Sequence, residues 1–309
     1  MTGQIGRLGV QESVDSMFPP SELAAFLADL PVDVSVVDEA GIADCDAVVT
    51  RNHFDALFEV DWIHSTQAGV DRFPLEAFAE AGIALTNSTG IHGRTVGETV
   101  AGYLLAFARR LHNQIASATN RRWERPEWDE AFTLPGTTAC IVGTGTLGRG
   151  VADILGSLGV ETVGVRRSDD PLPEFDEMYA IESLHQPIAA ADFVIVTVPL
   201  TETTRRLFAA AEFDAMRSDA YFVNVARGAV VDEQALIDSL NAGDIAGAAL
   251  DVFETEPLPE TSPLWEMDEV IVTPHAAAYT RDYFRDVGGI VRENVERRER
   301  GEALTNQVV

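Results

Sequence analysis

The sequence has no lysine. All 22 of its basic residues are arginine, set against 50 aspartates and glutamates, for a formal net charge of −28 over 309 residues. A surface of that sign repels nucleic acid phosphates and anionic lipid, so neither is an expected partner. Cysteine is almost missing too. Cys45 and Cys140 stand far apart in apolar surroundings, which argues against a disulfide framework and makes reduced, buried thiols the expectation. No apolar run approaches the ~20 residues that span a bilayer, and the stretch from Met1 to Val10 lacks the apolar core of a signal peptide. The expected location is cytoplasmic. No cysteine and histidine cluster has metal-ligand spacing, so no metal is expected. There is no internal repeat and no low-complexity tract.

The charge has a physical consequence. Self-repulsion of this size loosens a folded chain in dilute buffer, whereas in molar salt the Debye length falls to ~3 Å and the repulsion is largely screened. A carboxylate-rich surface without lysine fits a salt-loving organism. The plainer alternative is an ordinary acidic protein that lacks lysine by chance.

With 46% hydrophobic residues, the 309-residue chain is long enough for two domains, each with its own core. Its centre is the stretch from Cys140 to Gly148. An apolar run, Thr138 to Val142, meets glycines spaced G-x-G-x-x-G at Gly143, Gly145 and Gly148. An amphipathic pattern follows at once through Leu147, Val151, Ile154, Leu155 and Leu158, and a second apolar run covers Thr162 to Val165. Strand, glycine turn, helix and strand in this order suit a pyrophosphate lying against unpaired N–H groups at a helix N-terminus. Gly143 makes the tight turn, Gly145 admits the phosphate, and Gly148 lets helix and strand pack closely. The plain alternative is a glycine turn between two buried elements.

A carboxylate about 20 residues beyond the glycines would serve the ribose hydroxyls of NAD. This chain has Arg166, Arg167 and Ser168 there instead. Guanidinium groups and a hydroxyl suit a 2′-phosphate, so NADPH is the expected cofactor. NADH stays open, because Asp169 or Asp170 reaches a ribose if the strand runs longer.

Before this motif, Val34–Val37, Ala47–Thr50, Trp62–His64 and Ile83–Thr86 read as strands. Ser21–Leu30, capped by Ser21, and Pro74–Ala81 read as helices. Alternation of this kind implies a parallel sheet covered by helices. The loop from Ser65 to Asp71 follows one of these strands, and the backbone around Ala68, Gly69 and Val70 is a candidate carboxylate holder. Arg51 is a candidate second anion contact, although a solvated surface arginine is the better reading of it. A long amphipathic helix is expected from Gly93 to about Ala118, with an apolar face suited to a partner subunit. Beyond the glycines, Phe193–Val198, Tyr221–Val225, Ala246–Leu250 and Val270–Thr273 read as strands, Asp232–Leu240 as a helix, and Arg281–Arg300 as a helix that closes back on the first domain.

Three of the late strands end in polar residues that a plain core does not need. Arg227 follows one, Asp251 the next with Glu254 and Glu256 beyond it, and His275 the last. An arginine grips a substrate carboxylate in two places, and a histidine donates a proton to a carbonyl oxygen as hydride arrives. Glu256 is placed to orient that histidine and favour its charged form. Taken singly, each has a dull reading as a surface pair or a strand-end polar group. His53, His64, His92, His112 and His185 have no comparable setting.

The segments Gly143-x-Gly145-x-x-Gly148, Pro199-Leu200-Thr201, Asn224 to Gly228, Ala249 to Pro257 and Thr273-Pro274-His275 resemble the signatures of the D-isomer-specific 2-hydroxyacid dehydrogenase family. The resemblance covers nearly the whole chain. It implies an α/β fold of two parallel-sheet domains, Rossmann-like and flavodoxin-like, separated by an active-site cleft. Residues 1–91 with 281–309 would bind substrate, and residues 92–280 would bind the dinucleotide. Arg227, Glu256 and His275 take the catalytic positions, and Ala68-Gly69-Val70 takes the substrate loop. Thr146, Leu147, Val198, Pro199, Thr204, Val225, Ala226 and Asp251 join the glycines and Arg166, Arg167 and Ser168 in the cofactor set. The resemblance further implies a homodimer, and reduction of 2-keto acids to D-2-hydroxy acids. A dinucleotide-sensing corepressor is the main alternative; the lack of long tails favours an enzyme. Phosphoglycerate dehydrogenases often carry a further regulatory domain, for which the chain has no room.

One expectation follows from composition alone. Dialysis from molar into millimolar salt should unfold the protein, and circular dichroism reads the loss. A fold and an activity that survive prolonged dialysis contradict the salt-loving reading.

Overall fold

The computed structural model describes residues 5–309. The chain folds into two compact units, residues 5–91 together with Tyr279–Val309, and His92–Ala278. The first unit begins with β1 (Arg7–Gln11), α1 (Pro20–Leu27), β2 (Asp33–Val37), β3 (Ala47–Thr50), β4 (Trp62–Ser65), α2 (Leu75–Ala81) and β5 (Ala84–Asn87). The second holds α3 (Gly93–Ala108), α4 (Leu111–Thr119), β6 (Thr138–Val142), α5 (Thr146–Ser157), β7 (Glu161–Arg166), β8 (Glu177–Ala180), α6 (His185–Ile188), β9 (Phe193–Val196), α7 (Ala210–Ala215), β10 (Tyr221–Asn224), α8 (Glu233–Ala242), β11 (Gly247–Leu250) and β12 (Val270–Val272). Then α9 (Tyr283–Glu299) completes the first unit.

Both sheets are parallel throughout. The first runs β2-β1-β3-β4-β5 and the second β12-β11-β10-β9-β6-β7-β8. Their central strands are buried on both faces: Ala47–Thr50, Phe193–Val196 and Tyr221–Asn224 are buried at every position. That is why they read as unbroken apolar runs. In the first unit α1 and α9 cover one face, where Leu23, Leu27, Val287 and Val291 close over Leu8 and Val10. In the second, strand order reverses between β6 and β9, the place where open α/β sheets form a crevice at their carboxyl ends. Among the described residues no helix is long and apolar enough to cross a membrane.

Several expectations need correction. The helix expected from Gly93 to Ala118 is two helices. Arg110 adopts a left-handed φ of 55° between them, and the Ala108 carbonyl accepts from the Phe132 N–H at 2.8 Å rather than continuing the helical ladder. The apolar stripe also fails at that point, for Leu111 and Ile115 are exposed while Phe107 is buried. Ser21 caps nothing: α1 starts at Pro20 and makes no side-chain cap. Strands β9, β10 and β12 stop one or two residues early, which frees Thr197, Val198, Val225 and Thr273 for the loops at the carboxyl edge, whereas β11 ends at Leu250 as expected and β7 runs one residue further, to Arg166. Strands β1 and β8 carry no clear alternation and escape the sequence pattern altogether. Cys45 and Cys140 are buried free thiols, and burial pushes Cys140 up to about 12.

Candidate active site

The carboxyl edge of the second sheet gathers the polar groups. At the end of β6, Gly143 has φ 103°, and a Cβ built on Gly148 would lie 1.9 Å from the Gly143 carbonyl oxygen. Only glycine permits the α5 start to sit so close to β6. Thr197, just past β9, donates its hydroxyl to the Gly143 carbonyl at 2.6 Å and ties the two sides of the crevice together. Gly145 is the N-cap of α5 and supplies no side-chain cap, and a Cβ there would meet only open space. The first-turn N–H groups therefore face outward without a side chain over them. That cradle fits a dinucleotide pyrophosphate, through Gly145, Thr146, Leu147 and Gly148.

At the end of β7, the Arg166 guanidinium reaches back to the Ser168 carbonyl at 3.2 Å and to the Asp170 carboxylate at 3.4 Å. The Ser168 hydroxyl donates to the same carboxylate at 2.9 Å, and Arg167 is exposed. Arg166, Ser168 and Asp170 thus form one cluster. Thr204 folds back on its own loop, donating to the Pro199 carbonyl at 2.6 Å, and Val198 lies against Gly143.

Three further strand ends gather an arginine, a carboxylate and an imidazole. After β10, Asn224 accepts from the Ala226 N–H at 3.0 Å and donates to the Arg227 carbonyl at 3.1 Å, fixing the turn through Val225 and Ala226 that presents Arg227. Gly228 follows because a Cβ there would fall 1.8 Å from the Phe253 carbonyl carbon, so this turn lies directly on the segment that carries Glu256. Glu256 accepts from the Phe253 N–H at 3.2 Å and from His275 Nδ1 at 2.7 Å. An ionised carboxylate can only accept, so Nδ1 carries a proton and Nε2 is left for other chemistry. Burial pushes the Glu256 carboxyl up, but the His275 hydrogen bond, the His275 charge, the Phe253 N–H and Arg227 together outweigh it and leave it below the usual glutamate range.

His275 is not on a strand. It sits just past β12 in a left-handed turn with φ 54°, its N–H donating to the Asp251 carbonyl at 2.8 Å. The Asp251 side chain, 2% exposed, accepts from Thr273 Oγ1 at 2.6 Å and from the Ala276 and Ala277 N–H groups at 2.9 Å each. Asp251 thereby braces the turn that carries His275. Glu254 stands apart, with its N–H bonded to Glu233.

Two residues here carry no sequence signal. Tyr103, which reads as one more member of an apolar helix face, bonds Thr273. His92 is 7% exposed, and burial followed by the charge of Arg227 pulls its pKa down to about 4.

In the first unit, β4 leads into the 65–71 loop. Asn87 donates to the Ala68 carbonyl at 2.7 Å and Tyr283 to the Thr66 carbonyl at 2.6 Å. The N–H groups of Ala68, Gly69 and Val70 find no acceptor among the described residues. Below the loop His64 is fully enclosed, bonded to Thr86 at 2.8 Å and to Ser88 at 3.1 Å, and burial draws its pKa down to about 3. Arg51 bonds Ser16 through Nη1, while its Nε has no partner among the described residues.

Fold and geometry define a dinucleotide-binding α/β protein with an arginine and a carboxylate–imidazole pair beside the nucleotide crevice. Comparison with known proteins narrows this class. The NAD binding domain of the D-isomer specific 2-hydroxyacid dehydrogenases matches residues 101–277. The chain is 30% identical over 302 residues to a glyoxylate reductase of Korarchaeum cryptofilum, covering 93% of this chain and 89% of that one. A D-isomer specific 2-hydroxyacid dehydrogenase family protein of Aeromonas salmonicida superimposes with a TM-score of 0.87 at 30% identity over 99% of both chains. An NADPH-dependent glyoxylate/hydroxypyruvate reductase of Sinorhizobium meliloti, crystallised with NADP and sulfate, gives 0.80 at 27% identity over 98% of both. The chain belongs to the D-isomer-specific 2-hydroxyacid dehydrogenase family.

The two buried histidines set an acid limit. Unfolded, both titrate near pH ~6.5, so below that pH the unfolded chain binds protons that the folded chain refuses down to about 4 at His92 and about 3 at His64. Their contribution is complete above the unfolded value and is lost progressively as pH falls. Urea unfolding at fixed high salt should show stability declining below pH ~6.5 by up to about 1.4 kcal/mol per pH unit for each histidine. A flat profile down to the pKa of His92 would contradict neutral burial.

Proposed function

We propose that the protein reduces short 2-keto acids, of the glyoxylate and hydroxypyruvate kind, to D-2-hydroxy acids with NADPH as preferred cofactor. The observation that carries this reading is the 2.7 Å contact of His275 Nδ1 with Glu256, on a segment packed against the turn of Arg227. A reduced nicotinamide would supply the hydride. Arg227 holds the substrate carboxylate and fixes the ketone's orientation. His275, steadied through Nδ1, gives the Nε2 proton to the carbonyl oxygen, and takes it back in the oxidative direction. The open N–H groups of Ala68, Gly69 and Val70 are assigned to the anionic end of the substrate, with Arg51 as a further anion contact. The first unit is thus assigned to substrate and the second to cofactor.

The cofactor choice rests on Arg166, Arg167 and Ser168. Asp170 competes for two of them, and a carboxylate in that cluster favours a second reading, an NAD-dependent member of the same family. Magnitudes favour the phosphate. Arg166 is 30% and Asp170 76% exposed, and such an ion pair is worth about 0–1 kcal/mol. Charge-assisted hydrogen bonds to a phosphate are worth about 1.5–3 kcal/mol. A second copy of the chain is assigned to the face around α4, where Leu111, Ile115, Trp123 and Trp128 are exposed. The excess of carboxylates supports a salt-rich working medium.

A panel of 2-keto acids assayed with each cofactor at high and low salt tests the reading. We expect kcat/KM to favour NADPH, His275→Ala to lose about 10²–10⁴-fold in turnover, and Arg166→Asp to weaken NADPH far more than NADH. Equal loss with both cofactors refutes the 2′-phosphate assignment. Absence of turnover on every keto acid refutes the enzyme and returns the corepressor-like alternative.

A further inference from the structure

Helix α3 holds the turn of His275 at both of its ends. Before the histidine, the Tyr103 hydroxyl lies 2.6 Å from Thr273 Oγ1. After it, the Thr99 hydroxyl donates to the Ala277 carbonyl at 2.8 Å. Thr99 and Tyr103 are four residues apart on one helix and so present to the same face.

Thr273 has one hydroxyl proton, and it goes to the Asp251 carboxylate at 2.6 Å. Thr273 can then only accept from Tyr103. The result is a one-way chain, Tyr103 O–H to Thr273 O–H to carboxylate, whose end also receives the Ala276 and Ala277 N–H groups. Tyr103 is 6% exposed, and burial raises its pKa to about 12 against the lowering effect of the Thr273 bond, so the phenol keeps its proton at working pH. The turn it braces needs bracing, because His275 occupies left-handed backbone, a strained conformation for an L side chain.

We propose that Tyr103 is a positioning residue for the proton donor: acting through Thr273 and Asp251, with Thr99 as the second clamp, it holds the left-handed turn that aims His275. The assignment of His275 as proton donor is the reading above; the hydroxyl chain is additional to it. Tyr103 acts through its hydrogen-bond partner Thr273.

The test uses Tyr103→Phe in the full-length protein, which keeps the ring in the core and removes the hydroxyl. We expect kcat with a 2-keto acid to fall roughly ten-fold, as a small misplacement of a reacting group does, with KM and cofactor Kd unchanged. In wild-type protein, the proton shared between His275 Nδ1 and Glu256 should give a downfield NMR resonance that His275→Ala abolishes and Tyr103→Phe broadens. In a Thr273→Val background the chain is already cut, so adding Tyr103→Phe should cost little more. A lowered Tm with the resonance, kcat and KM of Tyr103→Phe all unchanged would mean packing alone and overturn the proposal, as would an undiminished effect in the Thr273→Val background. The resonance is read without turnover. A wild-type protein inactive on every keto acid would defeat the functional reading, while Tyr103 would still stand or fall on the spectrum.

Discussion

A parallel sheet puts the carboxyl end of every strand on the same edge, and the candidate site depends on that constraint. Gly143 and His275 are far apart in sequence, yet both lie just beyond strands of one sheet. Nothing local brings them together. What holds them is register: Ala139 to Val142 pair with Phe193 to Val196, which pair with Tyr221 to Asn224, which pair with Gly247 to Leu250. Each of these strands is buried on both faces, so slippage by one residue would move the loop that follows it, and with it an arginine, a carboxylate or the glycine turn.

The polar groups are then fixed by short hydrogen bonds at the strand ends. Asp251 shows how much one residue can do. A buried carboxylate is costly unless its oxygens are satisfied, and this one is satisfied by a hydroxyl and two backbone N–H groups from the very segment that carries His275. The cost of burying the charge is offset only while that segment keeps its turn. Charge and loop conformation are thereby coupled, which is a stronger restraint than packing alone.

The same division separates what could be read in the sequence from what could not. Buried parallel strands announce themselves as apolar runs, and the glycines at Gly143, Gly145 and Gly148 announce a close approach, so the two sheets and the nucleotide crevice were legible. Arg227, Glu256 and His275 were legible as polar residues at strand ends. The break at Arg110 was not, because the 3.6-residue period runs through it and only the Phe132 bond to Ala108 and the exposure of Leu111 show the interruption. Tyr103 was hidden for a related reason. Its ring belongs to the apolar face of α3, and pattern reading scores the ring while the function of interest rests on one hydroxyl oxygen. Strand β8 was missed because an edge strand pairs on one side only, and its residues are only partly buried.

The overall charge of −28 and the anionic ligands proposed for the site pose opposite demands. Long-range attraction cannot guide an anion to such a molecule in dilute buffer. At molar ionic strength, where the Debye length is ~3 Å, the distant carboxylates become nearly invisible while direct contacts survive. Recognition then depends on groups that touch the ligand, and arginine serves this better than lysine, since a planar guanidinium makes two parallel hydrogen bonds at contact distance. All 22 basic residues of this chain are arginine, so every one of them offers that contact geometry. Its surface carboxylates and its site guanidiniums therefore work on separate length scales, and the ionic strength of the medium decides how far they interfere.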